Sequence, residues 1–154
     1  MEKKTFIIDY VTKHGEIVSS SIMLWKQNEI INGRNINCTY LKFHYVNNSI
    51  EAKGFIVKEA FDSLREKLED IGIKLMIKGY RYDVCMYRKL SNTIYCVQLL
   101  FGEPFNPENK NRIFNIFEKE ENSAYIKSLA HQKEYYNKWI KSVYGISCDE
   151  DKII

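Results

Sequence analysis

The chain is poor in residues that break or staple a fold. Two prolines and seven glycines among 154 residues leave no material for a long flexible linker. Four cysteines, Cys38, Cys85, Cys96 and Cys148, are too few and too scattered for a disulfide framework, and no Cys-x-x-Cys pair offers zinc-ligand spacing. Neither sign of charge dominates: 23 Lys and Arg stand against 20 Asp and Glu, a net charge of +3. A dedicated nucleic-acid binder usually carries a clearer basic excess. No apolar run approaches the roughly 18 residues of a membrane span, and Met1 to Asp9 lacks the apolar stretch of a signal peptide. The expectation is a cytoplasmic protein away from membranes, with all four thiols reduced.

The catalytic motifs are missing as well. The chain has no Gly-rich phosphate loop, no Gly-x-Ser-x-Gly elbow and no His-Glu-x-x-His. His14, His44 and His131 lie in no common motif and read as solvated side chains. Cys85 and Cys96 flank a turn and read as small core residues rather than nucleophiles. The reading is therefore a non-enzyme with no catalytic residue, no metal and no cofactor. No small-molecule ligand is expected.

What the chain has in quantity is apolar and aromatic matter. The apolar fraction is 45% and the aromatic fraction 14%, with eleven Tyr and eight Phe. That is ample for a core, because each buried ring removes a large area from water. The length fits one domain over residues 1–146, with 147–154 as a frayed tail.

Alternation marks the strands. Phe6, Ile8 and Tyr10 alternate, Lys13-His14-Gly15 breaks the run, and Glu16 to Met23 resumes it as a hairpin. Trp25 to Asn37 is Asn-rich, contains Asn32-Gly33 and is weakly periodic, and reads as a loop with room for one helical turn. Leu41, Phe43 and Tyr45 alternate, Asn47-Asn48 turns the chain, and Ile50 to Phe55 returns. Val57, Ala60, Phe61, Leu64, Leu68 and Ile71 fall at helical spacing, with Gly72 placed to end the helix in the left-handed conformation. Ile73 to Ile77 reads as a strand, as do Tyr82 to Met86 and Tyr95 to Phe101. A last helix is expected to open at Glu118-Lys119-Glu120-Glu121-Asn122, where carboxylates suit the helix dipole. Its stripe is Ile126, Leu129, Tyr136, Ile140 and Val143, and Gly145 ends it. The fold class is α+β: a mainly antiparallel sheet of six or seven strands with two long helices packed on it.

Two segments invite a functional reading. In the hairpin over 78–89, Tyr80, Tyr82 and Tyr87 interleave with Lys78, Arg81, Arg88 and Lys89. Such a face could stack bases and neutralise phosphates, which makes a single-stranded nucleic-acid-binding module the alternative function. Glu118, Glu120 and Glu121 form an acidic cluster that could meet a basic protein partner.

The half from about Phe61 to Val143 resembles a loose family of small uncharacterised bacterial proteins. The resemblance rests on Gly79, Arg81, Asp83 and Val84, then Tyr95 and Gly102, then Ile116 and Phe117, then Gln132, Tyr136 and Trp139. Where that family has a Ser-Gly-Met turn, this chain has Cys85-Met86-Tyr87. In its Asn-, Ile-, Lys- and Tyr-rich style the whole chain is similar to immunity proteins of bacterial toxin–immunity pairs, including contact-dependent growth inhibition. That resemblance implies a stoichiometric antitoxin whose partner is a cognate toxin domain. Partner contacts are then expected at Glu118, Glu120, Glu121, Tyr80, Arg81, Tyr82, Tyr87 and Arg88.

Overall fold

The structure, a computed structural model, describes residues 2–106 and 108–145. It packs as two compact units, Met1–Leu75 and Met76–Ile154. The fold class is α+β. Among the described residues the expected single sheet is instead two: eight strands divide between a five-stranded and a three-stranded sheet, both antiparallel. The two helices are of ordinary length, 14 and 16 residues.

The first unit is built from β1 (Lys3–Val11), β2 (Ile17–Ile31), β3 (Arg34–Tyr45), β4 (Asn48–Gly54), α1 (Val57–Asp70) and β5 (Lys74–Leu75). The spatial order is β4-β3-β2-β1-β5. One sheet face presents Ile8, Tyr10, Ile22, Leu24, Leu41, Phe43 and Ala52, all buried. Val57, Ala60, Phe61, Leu64 and Leu68 form the buried face of α1, which packs on β3 and β4. The helix ends as its sequence suggests. Gly72 has φ +76°, its N–H bonds the Glu69 carbonyl, and the Ile73 N–H bonds the Leu68 carbonyl. These are the two bonds of a Schellman motif, with apolar Ile73 and Leu68 both buried.

Trp25 to Asn37 corrects the sequence reading. It is not a loop but the distal half of a long β2–β3 hairpin, in continuous register from Ile22↔Phe43 to Ile31↔Arg34. Asn32 and Gly33 form its two-residue turn at φ +51° and +76°. Positive φ at both central positions matches the right-handed twist of the flanking strands. Trp25 and Tyr40 stack on the other sheet face, centroids 5.2 Å apart, with Cys38 buried beside them.

The second unit contains β6 (Val84–Cys85), β7 (Tyr95–Gln98), β8 (Ile113–Asn115) and α2 (Leu129–Tyr144). Tyr87, Val97, Leu99, Tyr136, Trp139 and Ile140 form a buried cluster. Gly145, at φ +71°, ends α2 as expected. Its start is not where the carboxylates suggested. Ser128 caps it, accepting from the His131 N–H at 3.1 Å, while Ser123–Tyr125 is a separate 3-10 turn. The strands expected over 73–77 and 82–86 shrink to Lys74–Leu75 and Val84–Cys85, and 3-10 turns follow them at Lys78–Tyr80 and Arg88–Leu90. The tail over 147–154, with Cys148, lies outside the described residues.

Candidate interaction surface

The stretch from Met76 to Asp83 is held by hydrogen bonds to two distant segments. Lys78 N–H bonds the Glu118 carbonyl, Gly79 N–H the Ile116 carbonyl, and Tyr82 N–H the Tyr125 carbonyl. Gln132, on α2, reaches back with Nε2 to the carbonyls of Gly79 at 3.1 Å and Arg81 at 2.7 Å. Residues that carry the family resemblance, Gly79, Arg81, Asp83 and Gln132, thus meet in one place.

Arg81 is the centre. Its Nε and Nη2 bond both oxygens of Asp83, at 2.8 and 2.9 Å, and its Nη1 bonds Glu120 Oε1 at 2.8 Å. Asp83 accepts a further bond from Gln98 Nε2 at 3.0 Å, and Glu120 accepts one from the Asn122 N–H at 3.0 Å. Lys78 Nζ lies 3.6 Å from Glu120 and 3.9 Å from Glu118. Arg81, Asp83 and Glu120 are all buried. Buried charges persist when they are paired and hydrogen-bonded, and each nitrogen of Arg81 donates to a carboxylate here. The hydrogen bonds that Arg81 donates to Asp83 raise the guanidinium pKa above its usual value against the opposing effect of burial. Burial alone would raise the Glu120 pKa, but the Asn122 N–H, Lys78 and Arg81 outweigh it and hold the carboxyl below its ordinary value.

The guanidinium also lies 4.0 Å from the Tyr125 ring centroid and 5.6 Å from that of Phe114. From Tyr125 a track of half-buried rings continues. Tyr82 stacks on Tyr125 at 6.0 Å and meets Tyr135 edge-on at 5.1 Å; Tyr135 stacks on Phe101 at 4.8 Å. His131 flanks Tyr82 at 5.9 Å. Phe101 is 54% exposed at the end of the track. Tyr135 donates its hydroxyl to the Leu99 carbonyl at 3.0 Å, which fixes the ring. Burial, then Asp83 and Tyr82, raise its phenol pKa.

The expected contact residues separate accordingly. Tyr80 and Tyr87 are core residues, Tyr87 packing edge-on against Trp139 at 5.9 Å. Arg81 and Glu120 are buried together. Tyr82 belongs to the aromatic track. Glu118 and Glu121 are exposed, and so is Arg88, whose guanidinium lies 5.1 Å from the Tyr87 ring. None of the three carboxylates opens a helix. Sequence reasoning missed Phe101 and Tyr135 as surface residues. The one available signal was Tyr135 beside core Tyr136, which places it on the flank of the apolar stripe.

In the first unit an open cleft of about 490 Å³ lies among Thr12, Lys13, His14, Glu16, Tyr45 and Asp70. Charges of both signs line it. Among the described residues, no group of three or more His, Cys, Asp or Glu is placed to hold a metal ion. Cys38 and Cys96 are buried thiols outside any disulfide, and burial raises Cys96 well above reactive range. Among the described residues, no helix is long and apolar enough to cross a membrane. No family model matches the chain, and no curated protein matches it.

Proposed function

We propose that the protein is an immunity protein, which binds a cognate bacterial toxin domain and neutralises it by stoichiometric contact rather than by chemistry. The observation that carries this reading is the aromatic track of Tyr125, Tyr82, Tyr135 and Phe101. Tyrosine and phenylalanine rings held rigid by their neighbours, yet partly open to solvent, are the composition of an interface anchor. The track lies against a buried ion network that supports Tyr125 from beneath, so little side-chain entropy is left to lose on binding. Exposed Glu118 and Glu121 stand in the neighbouring segment and suit the rim, where charge acts on the association rate. The proposed work is cytoplasmic and needs no cofactor. Copurification with the product of the adjacent gene, followed by titration of toxin activity, tests the reading. Activity should disappear at one equivalent; protection at a small fraction of an equivalent would point to an enzyme.

The alternative is single-stranded nucleic-acid binding through residues 78–89. In its favour stand exposed Arg88, over the ring of Tyr87, and exposed Lys89. Against it, Tyr80, Tyr87 and Arg81 are buried, which removes two of the three stacking rings and one of the cations it would use.

A further inference from the structure

β1 is an edge strand over most of its length. On one side it pairs with β2 from Lys3 to Val11; on the other, β5 pairs only with Tyr10 and Val11. The hairpin determines which backbone groups face that side. Thr12 donates its N–H to the Glu16 carbonyl at 2.9 Å, so these two residues form a hydrogen-bonded pair. Such pairs alternate along an antiparallel ladder, which assigns Tyr10, Ile8, Phe6 and Lys4 to β2. Lys3, Thr5 and Ile7 then turn their N–H and C=O groups outward. All three are exposed, Ile7 by 77%. Native edges are commonly blunted by Pro, bulges or central charges. β1 has no Pro and an unbroken register, and its charges sit at its two ends: Lys3 and Lys4 at one, Asp9 at the other.

We propose that this edge is a homodimer interface, in which β1 adds antiparallel to β1 of a second copy about a two-fold axis at Phe6. In that register Thr5 opposes Ile7 of the second copy and Lys3 opposes Asp9, each twice by symmetry. Thr and Ile are β-branched and suit a cross-strand pair. Opposite charge favours this register, since centring on Thr5 sets Lys3 against Ile7 and loses the ion pair. Centring on Lys4 sets Lys4 against itself. Centring on Ile7 runs Lys3 into Val11, whose outer edge β5 already occupies. The inference is independent of the toxin reading, since it concerns only the first unit.

Light scattering and sedimentation velocity of the full chain over a wide concentration range test it. The expected result is a concentration-dependent monomer–dimer equilibrium. Thr5→Pro removes one outward N–H per copy at a position where an edge strand tolerates proline. It should weaken dimerisation about tenfold or more while far-UV circular dichroism stays unchanged. Lys3→Asp and Asp9→Lys should each weaken the dimer, and the doubly reversed chain should recover it. A wild-type chain that stays monomeric throughout overturns the proposal, including the case in which the edge serves a strand of another protein. So does a dimer that survives Thr5→Pro in a folded chain, or a double reversal that fails to restore what the single ones lost.

Discussion

Arg81 and Asp83 meet in a two-pronged pair, Nε to Oδ1 at 2.8 Å and Nη2 to Oδ2 at 2.9 Å, with Glu120 closing the third side of the guanidinium. The pair is buried and two residues apart in sequence, so the chain bends around its own ion pair. Removing one partner leaves the other charged in a poor solvent. Asp83→Ala should therefore cost about 3–5 kcal/mol in unfolding free energy. Urea denaturation checks this, with exposed Glu121→Ala as the comparison, expected within about 0.5 kcal/mol of wild type.

The same network makes stability depend on acid. The carboxyl of Glu120 has a lower pKa in the folded chain than its ordinary value. A group of this kind stabilises the fold above the unfolded carboxylate pKa, and the contribution is lost as pH falls through the folded value. Glu120→Gln should thus be less stable than wild type near neutrality, and the gap should narrow on acidification below the ordinary carboxylate range. Denaturation midpoints in a pH series decide it; a gap that stays constant or widens in acid contradicts the assignment.

Gln132 links α2 to the centre of the site through the carbonyls of Gly79 and Arg81. Gln132→Leu keeps the bulk and removes both donors. The loss should be about 1–3 kcal/mol, the cost of leaving buried acceptors without their bonds. Gln132→Glu, which turns two donors into acceptors facing carbonyls, should be worse.

How much of this was legible in the sequence follows from the range of the forces involved. α1 could be read residue by residue, because its apolar spacing and Gly72 are local signals that tertiary packing reinforces. The β2–β3 hairpin carried its turn in plain sight at Asn32-Gly33, but its outer half alternates weakly: Gln27, Asn28, Asn35 and Asn37 are exposed on both strands. Arg81 and Glu120 lie 39 residues apart, and nothing local announces that they share a hydrogen bond. The acidic run looked like a helix entrance because carboxylates do favour one. Ser128, a better cap ten residues beyond Glu118, took that place, and Glu120 was drawn inward by the guanidinium instead. The aromatic track is a tertiary feature assembled from four separate segments.

The toxin reading makes its sharpest prediction at the open end of that track. Phe101 is 54% exposed and stacks on Tyr135 at 4.8 Å. Phe101→Ala should lower the melting temperature only slightly, since more than half of the residue is already exposed. If the track anchors a toxin domain, the same substitution should weaken the complex by roughly 2 kcal/mol, about thirtyfold in Kd. Tyr95→Ala removes a ring that is 44% exposed and makes no contact in the track, so it serves as the comparison and should leave affinity unchanged. The carboxylates need separate treatment. Glu118→Lys and Glu121→Lys alter exposed side chains and should slow association with a basic toxin face while preserving the fold. Glu120→Lys would place a cation against Arg81 and Lys78 and unfold the site, so its effect on binding carries no information about the interface. Isothermal titration with the adjacent gene product measures all of these. Full affinity in Phe101→Ala and Tyr82→Ala together would remove the track from the interface, and absence of any complex with the wild-type chain would remove the toxin reading itself.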